Sequence, residues 1–163
     1  MIEILAPCGG EDCLPSALNT GADAVYFGTT AFSARKNAKN FTPERAEEAI
    51  RLCHASGVKV HVTMNTLLFD DELSEAVRTA RQLYEAGADA LIVQDLGLVR
   101  RLRSELPDMP LHASTQMTIN SASGAEFAKK AGFSRAVLAR EMSFKEIAEV
   151  VNNVDIETEV FVH

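Results

Sequence analysis

The 163-residue sequence has no tryptophan, only three cysteines, and no apolar run near the roughly 18 residues that a membrane-spanning helix needs. Cys8, Cys13 and Cys53 are odd in number and lack CxxC spacing, which predicts neither a disulfide framework nor a metal site made of cysteines alone. The chain has 16 basic and 23 acidic residues, and the resulting net charge of −7 disfavours non-specific adhesion to nucleic acid or anionic membrane. Because the start of the chain also lacks the basic segment of a signal peptide, we expect a cytoplasmic protein with reduced thiols and no membrane attachment.

The composition is that of a folded protein. Hydrophobic residues make up 47% and charged residues 24% of the chain, which allows a core and excludes a disordered, collagen-like or coiled-coil protein. At about 150 residues per domain, the length fits one compact domain or part of a larger one. A local basic patch on the acidic surface could still bind RNA.

Short β-rich segments alternate with segments of helical periodicity, a pattern typical of βα units around a parallel sheet. Thr42 is the predicted N-cap of one helix, Asp70 begins the next, and Ser143 with Glu146 forms a capping box for a later one. The seven predicted strands are Ile2–Ala6, Ala24–Gly28, Val58–Asn65, Ala90–Gln94, Leu111–Thr115, Arg135–Arg140 and Ile156–His163.

The order of elements favours a TIM-type (β/α) barrel. Seven βα strands without a GxGxxG motif fit an eight-stranded barrel better than a doubly wound sheet. The chain ends at His163 within predicted strand seven, and a barrel that lacks its last strand has two unpaired edges. We therefore expect residues 1–163 to be a single N-terminal barrel portion, with about seven of eight strands, of a longer protein.

One face of each barrel strand lines the lumen, because side chains alternate along a strand. In predicted strands three, five and seven, polar residues occupy every second position, on the face expected to line the lumen. The even-numbered strands carry no such series before their final residues. Alternate strands share interior layers, so the pattern predicts a polar lumen. Its groups either receive a ligand or satisfy one another, with Lys59 compensating a glutamate. The series are Lys59, His61, Thr63 and Asn65; His112, Ser114 and Gln116; and Glu157, Glu159 and His163.

A three-histidine metal site is an alternative use of this series, since imidazoles bind zinc or iron. His61 and His112 lie about four residues before the ends of their strands, whereas His163 lies at the end of its own. At roughly 3.3 Å per residue this offset is about 13 Å, too far for one ion. We therefore predict no metal site. Because strand ends are uncertain by a few residues, His61, His112 and Glu159 remain an alternative set of metal ligands.

Functional residues of such barrels lie at the C-terminal ends of the strands and in the loops that follow. The loop Thr29–Phe41 is basic and rich in amides, which predicts either a clamp for a carboxylate or phosphate, or a merely solvated loop. Arg140 and Glu141 could instead pair with each other at the rim. The candidate catalytic residues are Asn65, Ser114, Gln116, Glu141 and His163, and the candidate substrate-binding residues are Arg35, Lys36, Asn40, Gln94 and Arg140.

Six stretches together resemble peptidase family U32, the collagenase-like peptidases, and they span the whole chain. They are Glu3–Pro7 with Gly9, Gly21–Gly28, Phe32–Arg35 with Asn40 and Phe41, Leu111–Gln116, Leu138–Glu141 and Glu159–His163. The combination in this order is far more specific than any single stretch.

The resemblance implies oxygen-independent hydroxylation of transfer RNA, ribosomal RNA or a ubiquinone precursor, with prephenate as hydroxyl source in RNA-modifying members. It also implies a [4Fe-4S] cluster held by four cysteines in the full-length protein. Glu159, Phe161 and His163 match the start of the family signature, but the three cysteines of this chain do not occupy its cysteine positions. We therefore expect no cofactor within this chain and an inactive fragment when it is isolated.

Three functions remain open at this point. The first is iron–sulfur-dependent RNA hydroxylation, with RNA or a small carboxylate held by the basic loop, where Arg35 suits either anion. The second is a collagenase-like protease acting on a peptide, although no Ser-His-Asp or Cys-His arrangement is visible in the sequence. The third is a non-catalytic substrate-binding module, and in each case the rest of the polypeptide is the expected partner.

Overall fold

A computed structural model describes residues 2–34 and 39–162, in which seven parallel strands alternate with helices. The strands are β1 (Leu5–Pro7), β2 (Ala24–Gly28), β3 (Lys59–Met64), β4 (Ala90–Val93), β5 (Leu111–Ala113), β6 (Arg135–Val137) and β7 (Glu157–Glu159). The α-helices are α1 (Leu14–Asn19), α2 (Pro43–Ala55), α3 (Leu73–Glu85), α4 (Leu96–Glu105), α5 (Ala122–Lys130) and α6 (Phe144–Asn153), and short 3-10 helices cover Glu11–Cys13 and Thr115–Met117.

The strands pair in the order of the chain. β2 and β3 align over five residue pairs, from Ala24 with Lys59 to Gly28 with Thr63. In the described part of the chain β1 and β7 are the edges of one seven-stranded parallel sheet. The sheet is a curled half-barrel with helices between the strands, which confirms the predicted TIM-type α/β fold.

The core lies between the sheet and the helices. On β3 the side chains of Val60, Val62 and Met64 are fully buried, as the alternation of the strand predicts. Each such side chain stabilises the fold by about 1.5–3 kcal/mol relative to exposure. The helix stripes that cover the sheet are likewise buried, as Ala76 and Leu83 of α3 show.

Local hydrogen bonds define the helix starts. The Thr42 side chain accepts from Arg45 N, and Ser143 and Glu146 form the predicted capping box. The predicted start of a helix at Asp70 is wrong by three residues. The Glu72 carboxylate accepts a hydrogen bond from Phe69 N at 2.8 Å, so a turn precedes α3.

The edge strands are shorter than predicted. The N–H of Ile4 donates to the Asp23 carboxylate at 2.8 Å rather than to a neighbouring strand, so β1 begins only at Leu5. β7 ends at Glu159, since its one partner in the described sheet, β6, is itself three residues long. None of the described helices is both long and apolar enough to cross a membrane.

Candidate functional site

Two histidines meet in the interior of the half-barrel, as the polar phase of β3 and β5 predicts. The rings of His61 and His112 lie edge to face with centroids 4.7 Å apart. Both side chains are almost fully buried, and each has a buried Nδ1 without a hydrogen-bond partner. Burial lowers the pKa of His61 to about 4 and that of His112 to about 2, with further lowering by the nearby positive charge of Arg135. Both imidazoles are therefore neutral near neutral pH.

An ion-pair cluster closes the opposite, N-terminal end of the strands. Arg135, the first residue of β6, donates to Glu3 at 2.8 Å and lies 2.9 Å from the Glu157 carboxylate. Glu159 is farther away, at 3.7 Å from the guanidinium. Lys59 contacts a glutamate, as predicted, and that residue is Glu3 at 3.3 Å. The even-numbered strand β6 thus also contributes a polar group to the interior, because the long side chain of its first residue, Arg135, is largely buried.

The cluster affects its carboxylates differently. Burial raises the pKa of Glu3, but hydrogen bonds and positive charge from Arg135 and Lys59 outweigh that effect, and its pKa is lowered. Burial dominates at Glu159, whose pKa is raised despite the opposing charge of Arg135. One buried oxygen of Glu159 makes no hydrogen bond. The cluster thus holds one carboxylate that is costly to ionise.

The described residues do not assemble a metal or cluster site. No group of three or more His, Cys, Asp or Glu side chains suited to a metal ion occurs within residues 2–34 and 39–162, so His61, His112 and Glu159 do not form one. Cys8 and Cys53 are buried and Cys13 is exposed, and none of the three forms a disulfide. Burial, together with the charge of Asp89, raises the pKa of Cys53 to about 11, which disfavours a thiolate ligand. These cysteines do not fit an iron–sulfur cluster, and His163 lies outside the described residues.

A hydrogen-bond network organises the C-terminal ends of β3 and β5, which we call the mouth. Asn65 accepts from Ala34 N at 3.1 Å and donates to Ser114 Oγ at 3.3 Å. Ser114 Oγ also accepts from Gln116 N at 3.3 Å. Beside them the hydroxyls of Ser33 and Thr63 hydrogen-bond to each other at 2.9 Å. Of the candidate catalytic residues, Asn65, Ser114 and Gln116 are therefore brought together.

Gly28 lets the loop after β2 approach the mouth closely. A methyl group on Gly28 would clash with Ser33 Oγ and lie 2.9 Å from Asn40 Oδ1. Only glycine permits that approach without displacing the loop. This places candidate residue Asn40 at the end of β2, next to the network.

A cleft of about 700 Å³ opens beside this loop. Its surroundings are partly apolar, since Leu67, which lines it, and nearby Phe69 are 75% and 78% exposed. Lys39 pairs with Asp12 at 3.1 Å, and both side chains are exposed. One cation of the predicted anion clamp, Lys39, is thus already paired with a carboxylate. Its other two cations, Arg35 and Lys36, lie outside the described residues. The cleft is lined by Thr30, Ala31, Phe32, Ser33, Lys39, Asn40, Thr66, Leu67 and Glu72.

The remaining candidates follow β4 and β6. Gln94 is half-buried at the end of β4, next to Asp95, whose carboxylate caps α4 by accepting from Leu98 N at 2.8 Å. The Arg140 guanidinium lies over the ring of Phe161, 4.2 Å from its centroid. Glu141 is exposed and forms no ion pair with Arg140 in the described structure, so the predicted rim pair is wrong.

Asn65 is expected to be the most sensitive polar residue of the mouth. Asn65→Ala leaves Ala34 N–H without its side-chain acceptor and removes one of the two donors to Ser114 Oγ, which should lower the free energy of unfolding by about 1–3 kcal/mol. Urea denaturation measures this loss. Asn153→Ala is the matched control, because that exposed amide bonds only the carbonyl of Glu149 and should change stability by about 0.5 kcal/mol or less. Equal losses in the two variants would contradict the role given to Asn65.

Sequence reasoning missed four residues that shape this interior: Ser33, Glu3, Arg135 and Phe161. A signal existed for Arg135, which is a lone charge directly before the buried pair Ala136 and Val137. A charge that enters a buried strand requires a partner of opposite sign. The sequence held no comparable signal for Phe161 as the partner of Arg140.

Proteins that modify RNA resemble this chain along nearly its whole length. It is 41% identical over 162 residues to the 23S rRNA 5-hydroxycytidine C2501 synthase of Escherichia coli (strain K12), covering 99% of this chain and 24% of that protein. It is 36% identical over 162 residues to the tRNA hydroxylation protein P of the same organism, covering 99% and 36%. The chain therefore spans about a quarter of the length of the first relative and little more than a third of the second.

Two further comparisons concern the fold and the family. The structure of the U32 peptidase Mk0906 superposes with a TM-score of 0.76 at 14% identity, covering 98% of this chain and 68% of that one, which supports the barrel fold. The sequence model of peptidase family U32 matches residues 9–163. On that match, which covers nearly the whole sequence, the chain belongs to peptidase family U32.

Proposed function

We propose that this chain is the barrel portion of a protein that hydroxylates a base in ribosomal or transfer RNA. The observation that carries the proposal is the 41% identity with an rRNA 5-hydroxycytidine synthase along 99% of the chain. The second relative, a tRNA hydroxylation protein, supports the same reaction class on a different RNA. RNA is the proposed partner, and a small carboxylate is a second ligand that the basic loop could hold.

The geometry of the mouth supports a role in holding a base. The cleft volume lies within the range typical of small-ligand sites, and polar groups of the network converge beside it. Enzymes that modify a base first take it out of its stack and then hold it by hydrogen bonds and apolar contacts. Thr63 on β3 and Asn65 directly after it hydrogen-bond Ser33 and Ala34 in the loop beside the cleft, which fixes its polar side, while Leu67 supplies apolar surface.

Hydroxylation replaces a C–H bond with C–OH and removes two electrons from the base, so it requires an oxidant. The cysteines described above do not fit an iron–sulfur cluster, and the proposal assigns no redox step to them. We propose instead that the cluster implied by the family resemblance belongs to further polypeptide of the full protein. The isolated chain is then inactive. A reducing, cytoplasmic setting is compatible with cysteines that form no disulfide.

The test is the nucleoside content of RNA from cells with and without the full-length protein. Deletion should remove one hydroxylated base from rRNA or tRNA, seen by mass spectrometry as the loss of one oxygen atom, and the wild-type gene should restore it. Gln94→Ala at the end of β4 should restore less, whereas Gln82→Ala, the same substitution on the exposed surface of α3, should restore it fully. Unchanged RNA after deletion would overturn the proposal.

Peptide hydrolysis is the second candidate, favoured by the description of the family. The described residues argue against an activated nucleophile, because Ser114 is 1% exposed with its oxygen already hydrogen-bonded, and burial raises the Cys53 pKa. Cleavage of gelatin by the full-length protein after removal of all metal, abolished by one substitution at the mouth, would support hydrolysis. RNA binding without either reaction would support a substrate-binding module.

A further inference from the structure

Arg140 and Phe161 form a stacked pair where the last two strands end. Arg140 follows β6 and Phe161 follows β7, so both lie at the C-terminal ends of the strands, the same end as the mouth. Phe161 lies two residues beyond Glu159, the last residue of β7. The guanidinium lies 4.2 Å from the ring centroid, within the range of a cation–π contact. Phe161 is half-buried, whereas Arg140 is exposed.

The hydrogen-bonding edge of Arg140 is free within the described part of the chain. Several other arginines there are held by carboxylates, as Arg45 is by Glu48, Arg101 by Glu105 and Arg135 by Glu3. Arg140 has no hydrogen bond or ion pair to any described residue. The contact with the ring uses the face of the guanidinium, and the N–H groups of this exposed side chain have no acceptor among the described residues.

A guanidinium held in this way is suited to an oxyanion. Its planar fork of N–H donors matches the oxygens of a phosphate and can bind them in pairs. Because the ring fixes the plane of the fork, less side-chain freedom is lost on binding. The whole chain carries a net charge of −7, which repels RNA. A cation at the mouth that no acidic side chain of the described structure neutralises therefore matters more for attracting a phosphate.

We propose that Arg140, positioned by Phe161, binds a backbone phosphate of the RNA strand whose base enters the mouth. The inference rests on the proposed RNA substrate and adds the residue pair that holds the strand. Arg140 supplies the charge and the fork, whereas Phe161 orients the fork and does not itself contact the phosphate. The two residues therefore predict different effects on binding.

The experiment measures binding of a short single-stranded oligocytidylate to the full-length protein at several salt concentrations. For single-stranded nucleic acid each phosphate contact contributes about 0.7 to the slope of log affinity against log salt. Arg140→Ala should reduce the slope by about that amount and weaken binding about tenfold, as expected for one charged hydrogen bond. Arg140→Lys and Phe161→Leu keep the charge, so they should weaken binding with the slope unchanged.

Arg100→Ala is the matched control, since it removes one charge from the exposed surface of α4, where Arg100 has no carboxylate partner in the described structure. It should leave the slope as in the wild type. If Arg140→Ala keeps the wild-type slope while the wild-type protein binds the RNA and hydroxylates it in cells, the role of Arg140 is overturned and the proposed function stands. If the wild-type protein hydroxylates no RNA, the proposed function fails irrespective of the slope. Equal changes in the Arg140 and Arg100 variants also overturn the inference.

Discussion

Replacing Arg135 with methionine is expected to lower the free energy of unfolding by about 3 kcal/mol, the low end of what removing one partner of a buried ion pair costs. The Arg135 side chain is 12% exposed and contacts Glu3 at 2.8 Å and Glu157 at 2.9 Å. Methionine fills much of the same space but leaves Glu159 partly buried without its cationic neighbour and Glu3 with Lys59 alone, at 3.3 Å. Chemical denaturation at neutral pH measures the loss.

Arg81→Met is the control for this prediction. Arg81 pairs with Glu105 at 3.3 Å on the outer surface, where an ion pair contributes about 0–1 kcal/mol. The deficit of the Arg135 variant should shrink in acid, because without Arg135 the pKa of Glu3 rises and the folded state takes up a proton more readily than the unfolded state. A loss no larger than that of Arg81→Met would show that the cluster does not stabilise the fold.

Acidification is expected to destabilise the protein strongly through His61 and His112. Their pKa values are lowered to about 4 and about 2 in the folded state, whereas an unfolded histidine titrates near 6.5. Below that value the unfolded chain binds more protons than the folded one. The contribution is thus fully present above about pH 6.5 and is lost as pH falls toward the folded pKa values, by up to about 1.4 kcal/mol per pH unit for each histidine.

Denaturation at a series of pH values between about 7 and 5 measures this slope. The double variant His61→Gln and His112→Gln carries no titrating group at these positions and should lose most of it. His54→Gln is the matched control, since His54 lies on α2 and its side chain is partly exposed beside Asp89. The same slope in the wild type and the double variant would mean that the buried histidines do not govern acid stability.

Features that depend only on residues close together in the sequence were predicted well. Alternation along β3 correctly separated the buried valines from His61, and the capping box of Ser143 needs only residues three apart. Polar residues are expected to gather at the C-terminal ends of parallel strands. This rule correctly brought together Asn65, which follows β3, and Ser114, which follows β5.

Features that depend on distant segments were not predictable in the same way. The partners of Arg135 are set by the curl of the sheet, which brings Glu3 across from 132 residues away. The stacking of Arg140 on Phe161 likewise depends on how two loops leave β6 and β7. Even the start of α3 depended on a side chain, because Glu72 bonds back to Phe69 and delays the helix.

The long separation between Glu3 and Arg135 also has a consequence for synthesis. At roughly 5–20 residues per second on the ribosome, Glu3 emerges on the order of ten seconds before Arg135, given the 132 residues between them. During that interval Glu3 remains hydrated, and the early strands lack the contact that joins the two ends of the sheet. The final closure of the N-terminal end is therefore a late event of high contact order, and until then the unpaired edges of the nascent sheet are exposed to pairing with other chains.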